Sequence, residues 1–318
     1  MRFKHSEYVR RSNGDLRVEF VDQDLSGYSG LELFRRYFRL IQLNSCIRQA
    51  FREQGLKGDY GLVPFTLVFV ALWLTGGRRL RHIGFLSDDP LVKRPCGLAR
   101  IPSDRSASRW LRQFTNQSLQ ALVALNSEIV TNKLKALGLP RLTLDFDGSV
   151  LTCGHTVGWA FRGYNPHKRY APSYYPLLCH IAQTGHFLEV KNRPGNIHDS
   201  KGALEVIRRC VDQLRAALIG VTLEARLDAA FFQKEILGWL DRHGNFQVDT
   251  RLALVRPRTV RRTNLFSFSF LATLRFEWIA AAGRLVNRSG AQVLKLCHNA
   301  RRRERFQSIA YNLDRLVA

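Results

Sequence analysis

Leu142-Thr143-Leu144-Asp145-Phe146-Asp147-Gly148-Ser149 alternates apolar and polar residues, then ends in an acid and two small residues. Val221-Thr222-Leu223-Glu224-Ala225-Arg226-Leu227-Asp228 follows the same pattern and runs into Ala229-Ala230. A period of two is the signature of a strand with one buried face. Asp147 and Asp228 therefore stand at strand ends, where small neighbours let the chain turn sharply or a ligand approach. On the first run Thr143, Asp145 and Asp147 share a face. Either acid can reach a ligand from there, and Asp147 is the better placed because it is terminal. On the second run Glu224, Arg226 and Asp228 share a face. One strand-end aspartate also serves as an ordinary turn residue; two at matching positions point to a joint role.

The composition of the whole chain says what such a pair would work on. Its 318 residues carry 49 Lys and Arg against 26 Asp and Glu, a net charge of +23. The excess favours a phosphate-rich partner or an anionic membrane surface, and its spread along the chain fits a folded basic surface. Hydrophobic residues make up 45%, enough for a real core and against global disorder. The start is polar and shows no secretory signal. The longest apolar stretch, 62–74, is shorter than the roughly 20 residues of a membrane span, so no membrane partner is expected. Cysteines 46, 96, 153, 179, 210 and 297 form no C-x-x-C pair and read as free thiols of a reducing cytosol. Two strand-end carboxylates in so basic a chain point to a metal held near a polyanion, and so to a DNA-processing enzyme.

The rest of the chain divides by its periodicity. Phe34, Tyr37, Phe38 and Ile41 fall at helical spacing with Arg35, Arg36 and Arg39 between them. Residues 62–74 read as a buried helix, and 78–82 as a basic connector or short helix. Ser103 or Asp104 caps a helix containing Trp110, Leu111 and Phe114. A long helix then runs to Gly138-Leu139-Pro140. Strands are predicted at 141–147, near 157–163, in two pieces over 175–191 split by Thr184-Gly185, at 221–228, and at 246–254. Helices capped by Asp199 or Ser200, and over 231–243, lie among them. This gives an α/β fold with an RNase H-like mixed sheet and flanking helices, preceded by a mainly helical N-terminal region. In such an order, acids ending the first and fourth strands meet. The expected domains are 1–140, helical and DNA-binding; 141–255, the catalytic core; and 256–318, a basic helical segment.

Phosphoryl transfer on DNA needs one oxygen activated and another stabilised, work that divalent ions do. Mg²⁺ prefers a few carboxylates plus water and phosphate oxygens. Arg105, Arg109 and Arg112 fit phosphate contacts from a helix-turn-helix, or a charged outer face over a buried Trp110. Arg162, Lys168 and Arg169 flank the Tyr164-Asn165-Pro166 turn and suit either DNA phosphates or a solvated loop. Cys179 and His180 are strand neighbours and point to opposite faces, which argues against a shared zinc ion. His198-Asp199 reads as a proton-handling pair or, more simply, as a helix cap.

Several ordered motifs carry a family resemblance. Leu144-Asp145-Phe146-Asp147-Gly148-Ser149-Val150, Gly163-Tyr164-Asn165-Pro166, Ser173-Tyr174-Tyr175-Pro176-Leu177-Leu178, Arg193-Pro194-Gly195-Asn196-Ile197-His198 and Arg226-Leu227-Asp228-Ala229-Ala230-Phe231-Phe232 resemble bacterial insertion-sequence transposases. The similarity is to the group called transposase DDE domain group 1, and it spans most of residues 30–255. It implies an RNase H-like fold, cleavage and joining of DNA at element ends, and Mg²⁺ (or Mn²⁺) held by two Asp and one Glu. By motif, Asp147 is the first acid and Asp228 the second. Double-stranded DNA, both terminal inverted repeats and target, is the implied partner; a homodimer is compatible with the sequence. The family's third motif places Tyr, Arg, Glu and Lys at helical spacing within an inserted region. Here Leu254 is followed directly by Arg256-Pro257-Arg258, Glu277 lacks that setting, and Glu235 comes one element too early. An internal deletion with loss of the catalytic Glu follows. The alternatives are a DNA-binding remnant that inhibits an intact transposase, or a nuclease completing its site with Glu224 or Asp249.

Overall fold

The computed structural model describes residues 24–166, 168–243, 279–288, 291–296 and 300–315. Strand β1 (Leu25–Ser26) leads into helices α1 (Leu31–Leu40), α2 (Leu43–Ala50) and α3 (Leu62–Thr75). α3 is apolar nearly all round and is correspondingly buried. A 3₁₀ turn over Leu80–Leu86 stands where a basic connector or short helix was expected. Helices α4 (Pro90–Cys96) and α5 (Asp104–Leu111) follow, each with a side-chain cap. Asp89 accepts from the Leu91 and Val92 N–H groups, and Ser103, not Asp104, accepts from Ser106. Trp110 is locked between rings: its centroid lies 5.0 Å from that of Phe65 and 5.7 Å from that of Phe69, both stacked. Helix α6 (Asn116–Leu137) ends at Gly138, whose φ of 57° closes the helix in the left-handed region. α6 serves two cores: Leu125 packs among the N-terminal helices, while Val130 and Leu134 pack against the sheet that follows.

That sheet begins with β2 (Arg141–Gly148). Short strands β3 (Leu151–Thr152), β4 (Phe161–Arg162) and β5 (Pro172–Tyr174) form a separate three-stranded sheet in the order β3-β5-β4. β6 (Leu177–Ile181), β7 (Phe187–Lys191), helix α7 (Ala203–Ala217), β8 (Thr222–Leu227) and helix α8 (Lys234–Arg242) complete the core. The main sheet has the order β7-β6-β2-β8, with β8 parallel to β2 and β6 antiparallel to it. This is the RNase H-like mixed topology through its fourth strand. Leu142, Leu144, Phe146, Leu177, Cys179 and Ile181 form its apolar face, against Val206, Ile207 and Cys210 of α7 and Ile236 and Leu240 of α8. Each large side chain so buried contributes about 1.5–3 kcal/mol.

Three expectations change. The strand near 157–163 shrinks to Phe161–Arg162 and lies outside the main sheet. The two pieces of 175–191 are instead the second and third strands of the main sheet, paired antiparallel through the turn at Thr184-Gly185. Asp199 and Ser200 do not cap α7, which starts after Gly202 with φ 71°. The strand expected at 246–254 lies outside the described residues.

Within the segment expected to be a basic helical tail, β9 (Gly283–Arg288) and β10 (Ala291–Leu296) form a hairpin before helix α9 (Ala300–Arg315). β9 pairs with β1, and Ile279 enters the core of the N-terminal helices.

Candidate metal centre

β2 and β8 run parallel, so residues on their shared polar face meet in rungs. The register sets Thr143 beside Glu224 and Asp145 beside Arg226. In the first rung, Glu224 Oε1 lies 3.0 Å from Arg141 Nη1, and Oε2 accepts from Thr143 Oγ1 at 2.9 Å. In the second, Arg226 donates from Nε and Nη2 to both oxygens of Asp145, a bidentate pair. His180 Nε2, reaching across from β6, lies 3.1 Å from Asp145 Oδ2. Burial opposes ionisation of Asp145, but the hydrogen bonds from His180 and Arg226, with the Arg226 charge, outweigh it and hold the carboxyl below its ordinary range.

One step further come Asp147, still on β2, and Asp228, just past the end of β8, and here the matching stops. Burial pushes the Asp147 carboxyl above its ordinary value, and the Asp228 charge pushes it the same way. The Gly148 N–H pulls it back, and the Asp199 charge raises it again. Like charges in adjacent strands destabilise a sheet. Asp228 Oδ1 accepts the Ala230 N–H at 3.0 Å, opening the 3₁₀ turn Ala229–Phe231. Phe231 is fully buried and anchors that turn, so Asp228 is fixed from behind. Both oxygens of Asp145 are engaged, and Asp147 is the β2 acid left facing a second carboxylate. Hard oxygen donors crowded against their own charge are what a divalent cation relieves. Among the described residues no group of three or more His, Cys, Asp or Glu is arranged to hold a metal. The pair supplies two donors.

Behind the end of β2 the packing leaves no room for a side chain at Gly148: a Cβ there would collide with Asp199 Oδ1 and the Tyr175 ring. Burial raises the Tyr175 phenol, and the hydrogen bond and charge of Asp199 raise it further. Arg193, 3% exposed, organises this region. It donates to the carbonyls of Tyr175 (3.0 Å), Asp199 (2.8 Å) and Lys201 (3.2 Å), and its guanidinium lies 5.3 Å from the Tyr175 ring centroid. Sequence reasoning assigned Arg193 no role; its only signal was the Arg193-Pro194-Gly195-Asn196 turn motif. His198 Nδ1 pairs with Ser200 Oγ at 2.9 Å, which sets aside the His198-Asp199 pair. Cys179 is buried in the core while His180 faces Asp145, as opposite strand faces require.

The basic candidates do not join the acids. Arg105, Arg109 and Arg112 are exposed on and just after α5, with Trp110 turned inward. Arg162, Lys168 and Arg169 are exposed around the small sheet that follows β2.

Residues 9–263 match the family described as transposase DDE domain group 1. The chain belongs to this family. Curated protein sequences show no match to the chain. Among solved structures it is similar to the Mos1 transposase paired-end complex with left transposon end: 10% identity, TM-score 0.26, covering 61% of this chain and 60% of that one. It is also similar to the piggyBac transposase synaptic complex with hairpin DNA: 13% identity, TM-score 0.30, covering 90% and 67%. The mariner Mos1 paired-end complex with Mg matches at 10% identity and TM-score 0.22, covering 76% and 64%. The chain spans about 60% of the Mos1 transposase it matches. At these scores the likeness adds nothing to the site's geometry. No helix among the described residues is long and apolar enough to cross a membrane.

Proposed function

We propose that this DDE-domain chain is the core of a bacterial insertion-sequence transposase. On this reading it binds double-stranded DNA at element ends, seats Mg²⁺ or Mn²⁺ between Asp147 and Asp228, and lacks the third acid that cleavage requires. The observation that carries the reading is the polar ladder of β2 and β8. Two rungs are matched by ion pairs and hydrogen bonds, and just past the last paired residues, Phe146 and Leu227, the Asp228 charge bears on the Asp147 carboxylate. When bound, such an ion activates the attacking oxygen and stabilises the leaving one in phosphoryl transfer. The chain's own contribution is to hold the two acids. Asp145, Arg226 and His180 clamp the strands one step away, and the Asp228–Ala230 turn fixes the second carboxylate. Arg105, Arg109 and Arg112 on the helical region, and Arg162, Lys168 and Arg169 around the small sheet that follows β2, supply phosphate contacts. Residues 1–140, 141–255 and 256–318 are the proposed functional segments.

The loss of the third acid rests on the sequence after Leu254, which lacks the Tyr, Arg, Glu and Lys pattern. Such a chain occupies element ends and inhibits an intact transposase. The nuclease alternative is disfavoured in one respect: Glu224 is already engaged by Arg141 and Thr143. Asp249, its other candidate, lies outside the described residues. The test is incubation of the full chain with its terminal repeats and Mg²⁺ or Mn²⁺. Salt-dependent binding without cleavage is expected. Robust cleavage that disappears in Asp147→Ala would overturn the loss of the third acid, and metal-dependent cutting of arbitrary duplexes would select the nuclease.

A further inference from the structure

Residues 149–188, directly after Asp147, contain no Asp or Glu. In this stretch Trp159, Phe161, Tyr164 and Tyr170 are 56%, 47%, 81% and 79% exposed, where aromatic rings are ordinarily buried. Trp159 and Tyr170 sit at φ 63° and 61°, a left-handed backbone that bulky residues rarely adopt. Such strain persists only where the surroundings enforce it, and it collects at functional sites.

The surroundings here are rigid. Asn165 is 4% exposed; its Nδ2 donates to Thr152 Oγ1 at 3.0 Å and its Oδ1 accepts the Lys168 N–H at 2.9 Å. Tyr174 Oη donates to the Gly158 carbonyl at 2.6 Å. Gly163 lies so close to the Gly195 backbone that any side chain would collide with it. The turn carrying Tyr164 and Lys168 is therefore pinned both to its own sheet and to the loop that Arg193 organises. No hydrogen bond or ring contact holds the Tyr164 or Tyr170 side chains among the described residues. Leu151, at the start of this sheet, comes four positions after Asp147, a span of at most about 14 Å.

We infer that this aromatic, acid-free sheet is a stacking platform for unpaired nucleotides of the DNA strand that passes the Asp147–Asp228 pair. The inference rests on the DNA-binding reading above and names the form of DNA taken at that place. Bases inside a duplex already stack on each other, so exposed rings gain most from bases that have left the helix. Arg162, Lys168 and Arg169 supply the positive charge that the neighbouring phosphates need. A protein partner with an apolar face would not call for a stretch of 40 residues free of acids.

The test compares binding of the full chain to a short blunt duplex and to the same duplex ending in a fork of unpaired thymines, with Ca²⁺ in place of Mg²⁺. Wild type is expected to bind the forked probe about tenfold more tightly, the worth of roughly one stacked base. Trp159→Ala and Tyr164→Ala should abolish that preference and leave blunt-duplex affinity unchanged. Arg162→Gln should weaken both probes alike and lower the salt slope by about one. Asp147→Ala should keep the preference, so a failure of the metal-site reading is distinguishable from a failure of this one. Equal affinity of wild type for both probes would overturn the platform. So would a fork preference that survives both aromatic substitutions, or self-association of the chain that is lost in those variants while DNA binding is not.

Discussion

Replacing Arg226 by Met should unlock the acid face without touching the acids proposed to hold metal. Asp145 is 12% exposed at its side chain and Arg226 31%. Removing one partner of a buried ion pair costs about 3–5 kcal/mol, because the other charge is left uncompensated. Arg226 is nearly a third exposed, so solvent screens part of that, and about 2–3 kcal/mol is expected at neutral pH. The sign of the pH dependence follows from Asp145, whose carboxyl is held below its ordinary range in the folded chain. Its contribution is fully present above the unfolded value and disappears as pH falls through the lowered folded one. The gap between wild type and Arg226→Met should therefore narrow as the pH is lowered toward about 3. Urea unfolding across that range, followed by far-ultraviolet circular dichroism, measures it. Asp145→Asn combined with Arg226→Met should recover most of the loss, since no buried charge then remains. A cost under about 0.5 kcal/mol, or one equal at acid and neutral pH, would refute the reasoning.

Gly148→Ala should destabilise the chain by about 1–3 kcal/mol, because its Cβ would strike Asp199 and Tyr175; thermal unfolding reports this. Trp110→Ala should cost about 3–5 kcal/mol and loosen the N-terminal helices, since the ring stacks on Phe65 and Phe69; hydrogen exchange in α3 and α5 should rise with it. Burial alone would raise the Glu32 carboxyl, but the hydrogen bond from Arg35 and the charges of Arg35, Arg94 and Arg36 pull it below its ordinary value. Its stabilisation is present at neutral pH and is lost as pH falls below about 4.5. Glu32→Gln should accordingly show a shallower acid-side loss of stability in urea titrations than wild type.

The two strand-end acids were legible because period-two runs announce strands and their ends, and the order of elements announces which ends meet. Its terminal place alone favours Asp147 over Asp145 in the sequence; what occupies Asp145 is not legible there. Both share a face, and only the register between β2 and β8 shows that Arg226 engages Asp145; pairing between strands some 80 residues apart is not written in local pattern. The strand expected near 157–163 is longer than the observed Phe161–Arg162 because Val157, Trp159 and Phe161 alternate with small or polar residues. These side chains alternate without a core to cover them and are exposed instead. Asp199 looked like a cap because it precedes an apolar helical pattern, yet Lys201-Gly202 intervenes and Gly202 makes the turn. The β9–β10 hairpin carries no period-two signal: Leu285-Val286 and Val293-Leu294 are adjacent apolar residues in basic runs.

The direct test of the central claim is calorimetric titration of Mn²⁺ into the full chain, its Asp147→Asn variant and its Asp228→Asn variant, without DNA. Wild type should show one class of site that each substitution abolishes. Both variants should also unfold at higher temperature than metal-free wild type, because the carboxylate repulsion is gone. Mn²⁺ binding unchanged in either variant would contradict the claim that these two side chains share one ion.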